Sequence, residues 1–263
     1  MSKNAIPHFA WLIPLAPIAF AFGIYFGGLQ SSSFLFINRL TQLLPDMLWA
    51  WLTFLGNGWG SFSLFFPLLL LAPRLLSAGL FAGAFSAIAS TILKRIFNLP
   101  RPARVLENNS FHSIGETLLD KALPSGHTLT AFAVMSAIYF ASDTENRKPL
   151  GFLFLLAALT GLSRNAVGAH WLTDVMAGAG IGLWCGMIGA LCALRIPEAQ
   201  LSPRKAWPRI IALGGLSSIY VHSTQVLDID LNLPLQYASI AIVVITLIFF
   251  GKAQFGSLPK NSQ

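Results

Sequence analysis

Charge is scarce in this chain. Asp, Glu, Lys and Arg make up 10% of its 263 residues, where soluble globular domains carry about a quarter. With 55% hydrophobic residues and a mean hydropathy of +0.66, the composition excludes an ordinary soluble globule and describes an integral membrane protein. Cysteine is nearly absent as well. The two present, Cys185 and Cys192, stand seven apart in one apolar run, on a shared helix face but too far apart along the axis to bridge. They rule out a disulfide framework and are expected to pack. Acidic residues are outnumbered, 10 against 17 basic ones, for a formal charge of +7. The basic residues are scattered between apolar runs and form no stripe, which argues against a nucleic-acid partner. Ser/Gly linkers, low-complexity tracts and internal repeats are missing too, so residues 1–263 are read as a single membrane domain of unassigned oligomeric state.

What the chain has in abundance is apolar runs, at about 9–28, 59–72, 75–97, 126–141, 150–162, 171–194, 208–221 and 235–251. A helix needs roughly 20 such residues to cross a bilayer. Six runs are read as spans. The fifth is short, and the seventh, "IIALGGLSSIYV", is short and rich in Gly and Ser, which also suits a re-entrant segment. The first run is longer than the apolar part of a signal peptide and is read as a retained span.

If the N-terminus is cytoplasmic and all eight runs span, the inner segments hold Lys3, Arg74, Arg147, Lys148, Arg195, Arg204, Lys205, Arg209, Lys252 and Lys260. The outer segments hold Arg39, Lys94, Arg95, Arg101, Arg104, Lys121 and Arg164, which is 10 basic residues inside against 7 outside. Setting aside Lys94, Arg101 and Arg164, which have another use below, leaves 10 against 4. The positive-inside rule therefore favours a cytoplasmic N-terminus. The segment "VLDIDLNLP", with two acids and no base, then falls outside. Residues 31–56 place Ile37, Leu40 and Leu44 opposite Asn38, Arg39 and Gln42, followed by Trp49 and Trp51. That pattern predicts helix lying at the outer membrane face or a packed connector. Gly178, Gly182 and Gly186, at four-residue spacing, predict close helix packing inside a bundle in preference to a dimerisation face.

Three polar islands interrupt the apolar pattern: "KRIFNLPRP" (94–102), "PSGH" (124–127) and "SRNAVGAHWLTD" (163–174). All three fall on the outer side in this topology. Ionisable groups at membrane depth cost about 2.5–3.5 kcal/mol each on insertion scales, so their clustering predicts one shared, hydrated site. Lys94 offers a point charge, and Arg101 and Arg164 offer planar forks of donors suited to phosphate oxygens. Pro100 and Pro102 should end the third run's helix, with Lys94 on its last turn and Arg101 beyond it. Pro124, Ser125 and Gly126 read as a turn and N-cap whose free amides attract an anion. His170 and Asp174, four apart at a helix start, share a face, so the carboxylate can fix the imidazole tautomer and leave one nitrogen free to attack. His112, Glu116 and Lys121 lie in the loop between the first two islands; a solvated loop is the favoured reading, and contact with a headgroup or gating of the site is the alternative.

The order and spacing of these residues resemble the three-part signature of the type 2 phosphatidic acid phosphatase (PAP2) family. Lys94, Arg101 and Pro102 match its first part, Pro124, Ser125, Gly126 and His127 its second, and Ser163, Arg164, His170 and Asp174 its third. The similarity covers roughly residues 59–194 and leaves 208–251 as two extra C-terminal hydrophobic segments. Leu123 stands where many bacterial relatives carry an aromatic residue, and "RPAR" replaces a doubled Arg-Pro; both bear on substrate fit.

The resemblance implies an all-α membrane fold with a six-helix core, and a phosphatase reaction that needs no metal or cofactor. It also implies a site facing the periplasm in bacterial members. By the same resemblance His170 is the nucleophile, Asp174 its orienting partner and His127 the acid for the leaving oxygen. Lys94, Arg101, Ser125, Gly126 and Arg164 hold the phosphoryl oxygens. The expected substrate is a lipid phosphate or pyrophosphate in the bacterial inner membrane, with undecaprenyl pyrophosphate or phosphatidylglycerophosphate placed first. A lipid A 1-phosphatase and a lipid phosphotransferase stand as alternatives, and a lipid transporter or binding scaffold as the non-enzyme alternative. A vanadate haloperoxidase shares the signature but is typically soluble, unlike this chain.

Overall fold

The computed structural model describes residues 6–107 and 109–255. Lys3 and Lys260, used in the topology reading, lie outside the described residues. Among these there are helices and no strand. In chain order the α-helices are α1 (Leu15–Phe26), α2 (Gln30–Thr41), α3 (Asp46–Phe54), α4 (Gly58–Phe65), α5 (Leu68–Leu71), α6 (Pro73–Phe97), α7 (Pro102–Val105), α8 (Gly126–Ala141), α9 (Arg147–Leu150), α10 (Phe152–Ala166), α11 (Leu172–Leu194), α12 (Ala206–Thr224) and α13 (Leu233–Phe255).

The centre is built by α6, α8, α10 and α11, with α11 packed along both α6 and α8 and α1 lying against α11. Glycine makes the α8–α11 approach possible. A Cβ added to Gly178, Gly182 or Gly186 would come within 2.8 Å of Ser125 O, 2.5 Å of Leu129 O and 2.6 Å of Ala133 O, respectively. The bundle-packing reading of these glycines therefore holds. Cys185 and Cys192 on the same helix are both free, as expected. On the other side, α12 and α13 pair with each other and close on α4 and α5, where the Ser63 and Ser218 hydroxyls meet at 2.5 Å.

Burial departs from that of a soluble protein, with polar side chains enclosed beside apolar ones and many large aliphatic and aromatic residues exposed. Ser63, Ser77, Thr128, Ser136 and Thr160 are fully enclosed, whereas Leu71, Leu155, Leu213 and Phe249 point outward. Side chains that can satisfy their own hydroxyls within the bundle go in, and aliphatic ones face lipid. Both ends of the bundle are polar. At one, Arg74 donates to Ala193 O and Ile196 O and meets Glu198; at the other lie Lys94 and the turn before α11. Helices α6 and α11 run the whole distance between them in opposite directions.

Four helical stretches among the described residues are long and apolar enough to cross a membrane: His8–Phe26, Pro73–Val105, Leu172–Leu194 and Asp230–Gln254. A fifth joins them if Thr144–Leu150 and Phe152–Ala166, bent by 41°, count as one. This is a multi-pass membrane protein, but the six full spans expected from hydropathy are not all present. The run 59–72 splits into α4 and α5 because Pro67 supplies no amide. The run 126–141 gives only the 16 residues of α8, since its N-terminus starts inside the bundle at the "PSGH" turn. The segment left open at 208–221 forms the continuous helix α12 and does not turn back on itself.

The segment 31–56 also departs from its expected form. Pro45 divides it into α2 and α3, and α2 is turned with Asn38 inward and Phe36 and Leu40 outward. Asn38 is fully buried because its amide bridges separate backbones. Its Nδ2 donates to His112 O and Asn165 O, both at 2.9 Å, and its Oδ1 accepts the His112 N–H at 2.8 Å. One side chain thus ties the loop after α7 to the end of α10, beside the third island.

Candidate active site

The turn between α10 and α11 holds the two residues spaced four apart. His170 precedes the helix instead of lying on it, Trp171 is the N-cap, and Asp174 sits in the first turn. Asp174 Oδ2 accepts the Trp171 backbone N–H at 3.0 Å and faces His170 Nδ1 at 3.3 Å. A carboxylate there complements the helix N-terminus and places the ring proton on Nδ1. The far nitrogen, Nε2, lies 3.1 Å from Arg101 Nη1, and a guanidinium can only donate, so Nε2 presents its lone pair. Burial, and then the neighbouring Arg101, Arg164, Lys94 and His127, hold the His170 imidazole well below its ordinary value. Neutral, with one tautomer favoured, it has the form a nucleophile needs.

Arg101 is fixed by the loop it begins. Its Nε donates to Asp120 O at 2.7 Å and its Nη1 to Ala169 O at 3.0 Å. Backbone bonds from Arg101 N to Leu119 O and from Ala122 N to Leu99 O close the two ends of that loop. The second island is tied to the third through backbone, Ser125 N–H donating to Asp174 O at 3.0 Å. Ser125 occupies the N-cap position of α8, but its side chain makes no capping bond; its hydroxyl instead accepts from Thr128 Oγ1 at 2.9 Å. The first amides of α8 are therefore not consumed by Ser125. Lys94, on the last turn of α6, reaches over them, its Nζ 3.6 Å from where a Cβ on Gly126 would stand.

These groups converge on one pocket of about 240 Å³, lined by Lys94, Arg101, His127, Arg164 and His170 with Glu116 and Asp228. Arg164 is buried at the end of α10 and donates through Nη1 to Thr53 Oγ1 at 2.5 Å, while its Nε has no partner. A buried donor without a partner is costly, and here it borders a cavity of the right size and charge for a phosphate group. The three islands predicted to meet do meet: Lys94, Arg101, His127, Arg164 and His170 line this pocket, whereas Ser125, Gly126 and Asp174 do not line it and join it through the Ser125 N–H to Asp174 O bond and the Asp174–His170 contact. Among the described residues no three His, Cys, Asp or Glu side chains group as metal ligands would.

Other residues of the site were not singled out by sequence. Thr53 orients Arg164 from α3, and Asn165 Nδ2 holds His170 O at 2.8 Å. Asp228, between α12 and α13, places Oδ2 3.0 Å from His127 Nε2. That contact lies off the direction of a ring N–H, so Nε2 is close to the carboxylate without an aligned hydrogen bond. Burial alone would raise the Asp228 carboxyl, but His127, Asn57 and Arg164 together draw it down to about 2. The only hint in the sequence was two acids without a base on the same side as the motifs. In the connecting loop, Glu116 borders the pocket, in line with the alternative to the solvated reading. His112 pairs with Asp46 at 2.9 Å, and Lys121 is exposed.

Comparison with known proteins follows the same geometry. The PAP2 superfamily model matches residues 74–197. A protein of Rhizobium johnstonii named lipid A 1-phosphatase is 30% identical over 130 residues, covering 49% of this chain and 52% of its own. The chain thus spans about half the length of that curated relative. The crystal structure of Aquifex aeolicus LpxE superposes with a TM-score of 0.54 at 31% identity, over 61% of this chain and 94% of that one. A PAP2-type phosphatidylglycerolphosphate phosphatase of Bacillus subtilis shares the fold, with a TM-score of 0.51 at 20% identity over 72% of this chain and 96% of that one. With residues of all three motifs lining one pocket and an LpxE structure matched at 31% identity over 94% of its length, the chain belongs to the PAP2 superfamily.

Proposed function

We propose that this chain is a membrane lipid phosphatase that works through a phosphohistidine on His170. The observation that carries the reading is His170 itself: Nδ1 faces Asp174 and Nε2 opens toward Arg101, in a pocket shared with Lys94, Arg164 and His127. Phosphoryl transfer asks mainly for alignment and charge stabilisation. Lys94, Arg101, Arg164, the Ser125 hydroxyl and the free N-terminal amides of α8 from Gly126 onward hold the phosphoryl oxygens, with no metal ion required. Nε2 of His170 forms the bond to phosphorus as the ester P–O bond breaks, and its electron pair leaves with the lipid oxygen. His127 gives that oxygen a proton. A water then attacks the phosphohistidine, returns a proton to His127 and releases phosphate with His170 restored.

The lipid part of the substrate has a place to lie. A cavity of about 680 Å³ is lined by Gly79, Gly83 and Ala87 of α6 and Thr130 and Val134 of α8. These residues fall on the same helix stripes as Lys94 and His127, by seven-residue and three- or four-residue steps. An acyl chain in this groove therefore leads to the catalytic pocket. The name of the R. johnstonii relative favours the 1-phosphate of lipid A over undecaprenyl pyrophosphate and phosphatidylglycerophosphate. The basic-residue distribution supports an inner-membrane location with the N-terminus cytoplasmic and this pocket on the periplasmic face.

The test is phosphate release by the purified protein from matched lipid A 1-phosphate, undecaprenyl pyrophosphate, phosphatidylglycerophosphate and phosphatidic acid, with His170→Ala as the blank. Release from lipid A should be fastest and should persist in EDTA. Turnover by His170→Ala would overturn the mechanism, and loss in EDTA restored by a divalent ion would overturn its metal-free form. A phosphorylated lipid acceptor formed in place of free phosphate would make the protein a transferase.

A further inference from the structure

We propose that Asp228 is a positioning residue for the leaving-group acid His127, which makes the C-terminal helical pair α12–α13 part of the catalytic machinery. The inference rests on the phosphohistidine reading above and extends it to a part of the chain beyond residues 74–197, where the family match ends.

The loop from α12 to α13 is built to hold one carboxylate in place. Asp228 has a left-handed backbone, φ 63°, and the Ile229 N–H closes onto Leu227 O around it at 2.8 Å. A three-residue turn of this kind is strained for any residue with a side chain and persists where its surroundings hold it. Here they do. Leu227 N–H donates to Gln236 Oε1 at 3.0 Å, and Leu227 O accepts from Asn232 Nδ2 at 3.2 Å. Ile229 is buried against Trp49, Ala166 and Val167. The carboxylate is then aimed by Asn57, whose Nδ2 donates to Oδ2 at 2.9 Å. Asn57 is itself immobilised, because its Oδ1 caps α4 at Trp59 N and Gly60 N. The preceding residue, Gly56, lets this turn press against His127: a Cβ there would stand 2.7 Å from both His127 Cβ and His127 O.

A carboxylate beside Lys94, Arg101 and Arg164 lowers the attraction of the pocket for a phosphate dianion. A site made only to bind phosphate gains nothing from it. It gains if the carboxylate acts on His127, whose imidazolium must be present when the P–O bond breaks and must be neutral afterwards to accept a proton from water. Asp228 supplies the countercharge for the first state and holds the ring in place. Because the Nε2 contact is close but not aligned, the ring is steadied without its proton being fixed in a strong bond. As the ester bond breaks, the His127 imidazolium gives one N–H proton to the departing oxygen, and Asp228 stays ionised throughout.

The experiment compares two substrates in the full-length protein: a long-chain alkyl phosphate, whose alkoxide must be protonated, and a nitrophenyl phosphate bearing the same chain, whose phenolate leaves without a proton. Asp228→Asn keeps shape and tolerates the left-handed backbone; Asp228→Gly removes the strain with the carboxylate. Both variants should lose on the order of 10- to 100-fold in kcat on the alkyl phosphate, at the lower end of general acid effects. On the nitrophenyl phosphate the loss should stay under about threefold. An equal loss on both substrates would reduce Asp228 to a structural tie, no loss on either would remove it from the reaction, and a gain would make it a block to phosphate. Any of the three overturns the proposal. His170→Ala assayed alongside separates the two readings, since turnover there refutes the phosphohistidine itself whatever Asp228 does.

Discussion

Asp174→Asn is the substitution that separates a carboxylate acting on His170 through its charge from one that only caps a helix. In the native site Oδ2 serves two groups, the Trp171 N–H at 3.0 Å and His170 Nδ1 at 3.3 Å. Asparagine offers a single atom in that place. Its carbonyl oxygen there keeps both contacts, accepting from the Trp171 N–H and from the Nδ1 proton, so the tautomer survives and only the negative charge beside His170 is lost. A wrong tautomer with intact geometry costs about 10⁴-fold in kcat in the Ser-His-Asp setting, or ~5.5 kcal/mol at 1.36 kcal/mol per decade. Losing the charge that balances the phosphorylated imidazolium, with the tautomer kept, is expected to cost less, on the order of 10²- to 10³-fold. Alanine loses the charge, the acceptor that fixes the tautomer and the helix-terminal acceptor, the last worth about 1 kcal/mol of stability. The order of activity and the order of thermal stability are therefore both wild type, then Asn, then Ala. Single-turnover release of phosphate and trapping of the acid-labile phosphohistidine give the first order, and melting in detergent gives the second. If Asp174→Asn keeps activity within tenfold of wild type while Asp174→Ala falls further, Asp174 does not act on the imidazole through its charge.

Two further predictions rest on packing and on charge. Gly182→Leu brings a Cβ to 2.5 Å from Leu129 O on the facing helix, so α8 and α11 must separate; a loss of about 3 kcal/mol or more is expected, seen as a lower melting temperature, and an unchanged one would refute the close packing. His170 is held well below its ordinary value by burial and by the nearby cations, so it remains the neutral nucleophile under mildly acidic conditions. The profile of kcat/KM should show no loss attributable to this group on passing below pH ~6.5, where a free imidazole would protonate. For stability the sign is set by the unfolded chain: below about 6.5 it binds a proton that native His170 refuses, so His170 makes the fold less stable as pH falls. His170→Gln should flatten that part of the stability profile, and an unchanged slope would show that His170 titrates normally in the folded protein.

The motifs were legible because their information is local. Lys94 and Arg101 are separated by the end of one helix, Ser125 to His127 by nothing, and His170 and Asp174 by one turn, so spacing alone placed each set. The missed partners are distant in sequence. Thr53 meets Arg164 across 111 positions, and Asn57 meets Asp228 across 171. A threonine in an apolar helix and an asparagine before a glycine carry no mark of the residue they will face. Hydropathy was least reliable where the site intrudes. The helix α8 is short because its first amides are needed at the pocket, and Asn38 turns inward because three backbone segments meet there.

That difference in legibility bears on the part of the chain beyond residues 74–197, where the PAP2 model ends. Phosphate-holding groups must surround one small ion, and four helices, with the loop between α6 and α8 that carries Arg101, bring them together. On the proposed function the group that departs is the lipid, and control over its departure is added at the edge of the pocket, where Asp228 Oδ2 lies 3.0 Å from His127 Nε2. Here α12 and α13 cover that edge and deliver Asp228 through a strained turn that Asn57, Gln236 and Asn232 hold in place. A helical pair present only to fill the membrane would not require such a turn, nor an ionised carboxylate beside three cations. On the mechanism proposed above, the groups that form the bond to phosphorus lie within residues 74–197, which the PAP2 model matches, while the proton for bond cleavage is governed by a segment outside them. Substitutions in α12–α13 that leave the fold intact should accordingly change the ranking of leaving groups before they change the affinity for phosphate.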